Sequence, residues 1–340
     1  MEFYVKHEVI AAVQLQEDVL DVRKQQLDAW VSAHLDETLS GAPASSDASF
    51  RRYFRYQQGE KSFIAMDAPP AHENCAPFVT IAKRLLAADI HVPQILAEDQ
   101  TQGFLLLSDL GHHTWLGILS DANADQFFGA ALDVLVTIQQ VSTDGLPAYD
   151  TALIERELAL FPDWYLARER KQALTPSQQA DWQSLCELLT RVMLEQPQVF
   201  VHRDFMPRNL MLSNPNPGVL DFQDAVAGPI AYDPVCLFRD AFLSWPEDRT
   251  DAWLRAYHAK AQAAGLPLPD DFAVFKRWAD FTGVQRHLKV IGIFARICHR
   301  DGKPKYLQDV PRFFAYLHTQ ANAYAELAPL ARLLAELAPR

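Results

Sequence analysis

Asp204, Asn209 and Asp221 are the side chains whose types and spacing suit chemistry. An apolar run, Val199 to Val201, reads as a short buried strand that delivers His202, Arg203 and Asp204 into a turn. Asn209 comes five residues after Asp204, and a second apolar run, Leu210 to Leu212, follows it. After a turn rich in Asn, Pro and Gly, the strand Val219-Leu220 presents Asp221. Hairpin-like strands of this kind project two carboxylates and one amide into one pocket. Phosphoryl transfer from ATP needs such a set. One carboxylate orients the attacking hydroxyl and accepts its proton, while hard oxygen ligands hold Mg2+ on the triphosphate.

The elements around this centre change character along the chain. Residues 1–21 are an N-terminal extension of open status, and Gln14 to Leu39 reads as a helix. Ser40 to Asp47 is a loop by composition. Phe50 to Tyr56 and Ser62 to Met66 are strands joined by a turn at Gln57 to Glu60. Glu73 to Ala88 is a helix with an apolar stripe, and Val92 to Ala97 and Gly103 to Leu107 are two further strands. From Asp125 the chain is largely helical: Asp125 to Val141, Ala152 to Arg170, Pro176 to Glu195, Asp233 to Trp245, Asp248 to Gly265, Pro269 to His299 and Val310 to Leu337. Asp150-Thr151 and Thr175-Pro176 supply cap-like starts. Strands before position 110 and helices after it predict an α+β chain of two lobes. The expected division is a nucleotide-binding lobe over 22–108, with a small antiparallel sheet, and a larger helical lobe for catalysis and the acceptor over 109–340.

Composition narrows the partners. The 340 residues carry 49% hydrophobic and 22% charged residues, which is ordinary for a soluble globular protein. The formal net charge of -12 argues against a general binder of nucleic acid or anionic membrane. No apolar run approaches the ~20 residues needed to span a bilayer, and Met1 to Glu8 lack a signal-peptide core. The cysteines, Cys75, Cys186, Cys236 and Cys298, form no C-x-x-C unit, so free thiols in a reducing cytoplasm are expected. Small-molecule partners and a monomer complete the expectation.

H-R-D-x-x-x-x-N followed by D-F-x resembles the catalytic and metal loops of protein kinases. The long activation segment ending in A-P-E is missing. With Gly228-Pro-Ile-Ala-Tyr-Asp233-Pro, the stretch resembles instead the aminoglycoside phosphotransferase and choline kinase superfamily, whose fold is kinase-like. Three further stretches are similar to the bacterial anomeric kinases of N-acetylmuramate and N-acetylglucosamine. They are Asp47-Ala-Ser-Phe-Arg51-Arg52-Tyr-Phe, Met66-Asp67-Ala-Pro-Pro70, and Gln285-Arg286-His287-Leu-Lys289 through Arg296 with Arg300-Asp301-Gly302-Lys303. The resemblance implies phosphorylation of an amino sugar at its C1 hydroxyl with ATP and Mg2+, for cell-wall recycling, with Asp204 as the catalytic base and Asn209 and Asp221 as the Mg2+ ligands. A kinase of aminoglycosides, choline or another sugar, or an inactive nucleotide-binding scaffold, are the alternatives.

The same resemblance implies nucleotide contacts. The phosphate-covering loop falls at Ser45 to Phe50, where Ser45, Ser46 and Ser49 stand in for glycines, and no G-x-G-x-x-G occurs. The strand Phe63 to Met66 lacks the phosphate-binding lysine, so Arg51, Arg52 or Lys61 must supply the charge, and Glu73 loses its usual partner. Leu107, Ser108 and Leu110 would meet the adenine through backbone groups. Asp224, Arg286, His287, Arg300 and Lys303 are the acceptor-side residues. Arg286, Lys289, Arg296 and Arg300 recur at helical spacing opposite an apolar stripe. That face is either solvated charge or an anion site for the lactyl carboxylate of N-acetylmuramate.

Overall fold

The computed structural model describes residues 22–45 and 50–337. The extension over 1–21 and the serines Ser46 and Ser49 lie outside the described residues. The chain divides into two compact units. One comprises the residues up to Lys83 with Val92–Leu110, the other Arg84–His91 with Gly111 onward. The expected α+β character holds: the first unit is built on a sheet and the second is mainly helical.

In the first unit a helix over 22–35 (α1) precedes the edge strand β1 (Ala42–Ser45) and the hairpin β2 (Arg52–Gln58) and β3 (Lys61–Asp67). The helix α2 (Ala76–Leu86) begins where Asn74 Oδ1 accepts from the Ala76 amide at 2.9 Å. Strands β4 (Ile95–Asp99) and β5 (Phe104–Ser108) complete an antiparallel sheet in the order β1-β2-β3-β5-β4. Phe54 and Tyr56 alternate inward from β2, whereas the more central β5 is buried along Phe104–Leu107. Leu27 and Val31 of α1 close over Phe54, Tyr56, Phe104 and Leu106. The loop expected over Ser40 to Asp47 contributes β1 instead. Pro43 does not forbid this, because an edge strand tolerates a missing N–H.

In the second unit, α3 (Ala124–Gln140) is followed by α4 (Thr151–Leu158), capped by Asp150 Oδ1 on the Leu153 amide at 2.9 Å. The single helix expected over Ala152 to Arg170 breaks into α4 and a π-helical stretch, Phe161–Glu169. Pro162 at its start offers no N–H, and the ladder resumes in a wider register. Helix α5 (Pro176–Leu194) carries the Thr175/Gln178 capping box. Short strands β6 (Gln198–Val201), β7 (Leu210–Met211), β8 (Gly218–Val219) and β9 (Val226–Pro229) interrupt the helices. Helices α6 (Tyr232–Phe238), α7 (Glu247–Ala263), α8 (Phe272–Asp301), α9 (Val310–Ala323) and α10 (Ala328–Leu337) follow. Helix α6 stops short of Trp245 because Asp240 Oδ1 captures the amides of Phe242 and Leu243 at 2.6 and 2.8 Å. Among the described residues no helix is long and apolar enough to cross a membrane, and the four cysteines are unpaired.

Helix α8 differs most from expectation. Its middle, from Ala279 to Ala295, is buried on nearly every side, including Gln285, Arg286 and His287. It passes among α5, α6, α9 and the π-helical stretch, so the basic stripe is no solvated face at its N-terminal half. Gly292 permits a close approach: a Cβ there would lie 2.3 Å from the Leu160 carbonyl carbon and 2.4 Å from its oxygen. The obstacle is backbone and cannot swing aside. Gly292→Ala should therefore lower unfolding stability by about 1–3 kcal/mol despite its better helix propensity. Urea denaturation of the two proteins checks this.

Candidate active site

Strand β6 pairs with β9 from Gln198↔Pro229 to Val201↔Val226, and β7 with β8 through Leu210↔Val219 and Met211↔Gly218. The loop 202–209 thus leaves one ribbon and enters the other, while Asp221 follows β8. The Leu220 amide donates to the Asn209 carbonyl at 2.9 Å, carrying the β7/β8 pairing to the edge of the site. Asn209 Nδ2 donates to the Asp204 carbonyl at 2.9 Å and to Asp221 Oδ2 at 3.3 Å. The structure therefore brings the three expected residues together. With its amide hydrogens directed inward, Asn209 leaves Oδ1 as the oxygen to offer a cation. Gln223 Nε2 holds the other Asp221 oxygen at 2.6 Å. Two hard oxygen donors beside one another suit Mg2+.

The loop keeps an unfavourable backbone. Arg203 and Asp221 have φ of 76° and 65°, left-handed values that non-glycine residues seldom adopt. Such residues cost of order 1–3 kcal/mol each and persist only where the surroundings over-determine them. Buried Asp233 in the first turn of α6 accepts from the His202 amide at 2.7 Å and the Arg203 amide at 2.9 Å. Burial pushes its carboxyl up to about 7, against the pull of those donors. The Cys236 thiol donates to the Arg203 carbonyl at 3.1 Å. Burial lowers His202 to about 4, so its ring is neutral near pH 7, and Nδ1 accepts from the Asp204 amide at 3.3 Å.

A carboxylate that sequence reasoning missed stands behind the loop. Glu157 of α4 is 4% exposed. Its Oε1 takes Arg203 Nη2 at 2.5 Å and Lys289 Nζ at 2.8 Å. Its Oε2 takes Gln285 Nε2 at 3.0 Å and the Tyr149 hydroxyl. Burial alone would raise this carboxyl, but the Lys289 and Arg203 cations outweigh it and hold it at about 2. A lone Glu within a helix gives no sequence signal for this role. Asp233 was visible in the Tyr-Asp-Pro stretch, though its two amide contacts were not.

The acceptor-side expectations scatter. Asp224 is exposed beside the loop, and its carbonyl lies 3.5 Å from Arg203 Nη1. Arg286 is 2% exposed and donates to the Arg239 carbonyl at 3.2 Å, so solvent and a substrate anion do not reach it in this structure. His287 is wholly buried, with its ring stacked 4.7 Å from Tyr316. Arg300 is exposed and paired with Asp301 at 2.6 Å, and Lys303 is half-buried in the turn after α8.

In the first unit, Arg51 pairs with Glu73 at 3.0 Å, so Glu73 has an arginine where a lysine was expected. Arg52 sits directly across from Asp67 in the β2/β3 register and joins Arg23 on that buried carboxylate. Leu107 and Leu110 are buried, and Ser108 Oγ accepts from the Gln94 amide at 2.9 Å.

The phosphotransferase enzyme family model matches residues 40–275. An N-acetylmuramate/N-acetylglucosamine kinase of Pseudomonas aeruginosa is 58% identical over 329 residues, covering 93% of this chain and 97% of the relative. Its namesake in Pseudomonas putida is 55% identical over the same shares. Among solved structures, an ADP-bound aminoglycoside phosphotransferase, APH(2'')-Ib, shares the fold with a TM-score of 0.57 at 16% identity, over 84% of this chain and 97% of its own.

Glu157 makes the protein acid-sensitive in a defined window. Its folded value lies below its ordinary 4.5, so the unfolded chain binds the extra proton. The stabilisation is complete above pH ~4.5 and is lost as pH falls toward ~2; the shift corresponds to about 3 kcal/mol. Glu157→Gln should lower stability at pH 7 and flatten this acid limb, measured by denaturant titration from pH 7 to 3.

Proposed function

The chain belongs to the phosphotransferase enzyme family, and on that premise we propose that it transfers the γ-phosphoryl group of ATP to the C1 hydroxyl of N-acetylmuramate and N-acetylglucosamine. The observation that carries this reading is the 58% identity to a kinase named for those two sugars, over 97% of that kinase's length. The assembled Asp204, Asn209 and Asp221 supply the chemistry it requires.

In this reading the Asp204 carboxylate orients the sugar hydroxyl and takes its proton as the new O–P bond forms and the bond from the γ-phosphorus to the leaving ADP oxygen breaks. Asn209 Oδ1 and the Asp221 carboxylate would hold Mg2+, and the donor set fits that hard cation. Bound there, Mg2+ supplies neutralisation of the triphosphate charge. The pinned loop backbone keeps these groups in place, so little reorganisation accompanies the reaction. The product in this reading is an amino-sugar 1-phosphate, an entry point to salvage of cell-wall sugars. In this reading the enzyme works on small molecules in the cytoplasm, which its four free thiols support.

A coupled ADP-release assay with Mg2+ and a panel of N-acetylmuramate, N-acetylglucosamine, kanamycin and choline tests the proposal. Turnover is expected on the two acetylated sugars. Asp204→Ala should lower kcat by roughly 10^2- to 10^4-fold while sparing ATP affinity, whereas Asp221→Ala should weaken Mg-ATP binding as well. Turnover on kanamycin or choline alone, or an active Asp204→Ala protein, would overturn it.

A further inference from the structure

Arg203 precedes Asp204 and holds φ at 76°. Its peptide is pinned at both ends by α6, through the Asp233 carboxylate on its amide and the Cys236 thiol on its carbonyl. These two contacts, one of them a weak thiol hydrogen bond, hold the peptide units but leave the direction of the side chain open. The third anchor is the guanidinium on Glu157 at 2.5 Å.

We infer that Glu157 is a positioning residue for Asp204: it clamps the Arg203 side chain from behind the loop and so fixes the turn on which the Asp204 carboxylate stands. The inference rests on the phosphotransfer reading, because only then is Asp204 a reacting group.

Three segments meet on this one carboxylate: the 202–209 loop through Arg203, α8 through Gln285 and Lys289, and the approach to α4 through Tyr149. Each oxygen receives two donors, which leaves Glu157 no freedom to follow a moving partner. Glu157 itself and the donors Gln285 and Lys289 stand on the helices α4 and α8, and the dependent residue on a loop. The direction of control is therefore from scaffold to loop. Arg203 in turn has a backbone that an L side chain leaves readily unless held. Released from Glu157, the strained turn is held by the two backbone contacts alone, so it departs from φ of 76° more often, and each departure moves Asp204. A displacement of about 1 Å at a reacting group can cost 10^2-fold in rate. The charge balance favours the clamp as well. Arg203 and Lys289 are both drawn by Glu157, and both also lie in the field of Asp204. Without Glu157 the guanidinium has a reason to turn toward Asp204, the group it should leave open.

The test uses the full chain and four variants: Glu157→Gln, Arg203→Met, their combination, and Glu157→Gln with Lys289→Met. The readouts are kcat and KM for ATP and sugar, melting temperature, and hydrogen–deuterium exchange of the peptide over 200–209. Glu157→Gln is expected to lower kcat roughly 10- to 100-fold at near-constant KM for ATP and to speed exchange in the loop. In the Arg203→Met background it should add little further loss of kcat, because the two act in series. Removing Lys289 along with the Glu157 charge restores the charge count, so this double variant serves if Glu157→Gln alone does not fold. Its melting temperature should recover while kcat stays low. A merely structural Glu157 predicts the reverse: kcat recovering with the melting temperature, or a lowered melting temperature with kcat and loop exchange unchanged. Either result overturns the inference. If the wild-type protein turns over none of the sugars, the functional reading fails, and loop exchange still decides whether Glu157 holds the loop.

Discussion

The peptide at Arg203 is held in a left-handed turn against its own preference, and the arrangement of the reacting groups depends on that constraint. The turn reverses the chain between the buried strand β6 and the Asp204 carboxylate within two residues. A glycine would adopt it without cost, but a glycine has no side chain to anchor. The protein accepts the strain and meets it with buried polar contacts from α4 and α6. Buried carboxylates are expensive unless every lone pair is used. Glu157 meets that condition and Asp233 does so only in part. Glu157 collects cations and stays ionised, whereas Asp233 has only amide donors close at hand and its proton affinity rises.

Much of this centre was legible in the sequence because it is local. Asp204, Asn209 and Asp221 lie within one strand-turn-strand stretch, so their spacing alone brings them close once the ribbons form. The change from strands to helices near position 110 was equally plain, since it rests on hydrophobic periodicity over long windows. The helix starts at Asp150 and Thr175 were visible for the same reason: a cap is a short-range hydrogen bond.

What the sequence concealed depends on long-range contact. The spacing of Arg286, Lys289, Arg296 and Arg300 describes one helix face correctly, but periodicity carries no information about what lies against that face. Here the first two meet buried partners, the Arg239 carbonyl and Glu157. The break after α4 was hidden because Pro162 resembles an ordinary first-turn proline until the wider ladder beyond it is seen. The partner of Glu73 required knowing that Arg51, at the mouth of β2, comes to it across the fold of the first unit. Cross-strand pairing of Arg52 with Asp67 needed only the hairpin register, which a one-residue slip would have reversed.

Helix α8 extends about 45 Å at 1.5 Å per residue, and it is keyed to the α4 segment at two heights. Gln285 and Lys289 meet Glu157, and one turn further on Gly292 lies against Leu160. On both segments the contacting positions are three or four apart, so they share a face. One inserted or deleted residue between Gln285 and Gly292 would rotate the second contact by about 100° relative to the first. Sequence drift in this part of the chain is thus constrained in length before it is constrained in identity. Descendants of this protein can exchange many side chains along the outer turns of α8, but the interval from Gln285 to Gly292 keeps its length, whereas beyond the left-handed C-cap, Gly302, no second key remains to be matched.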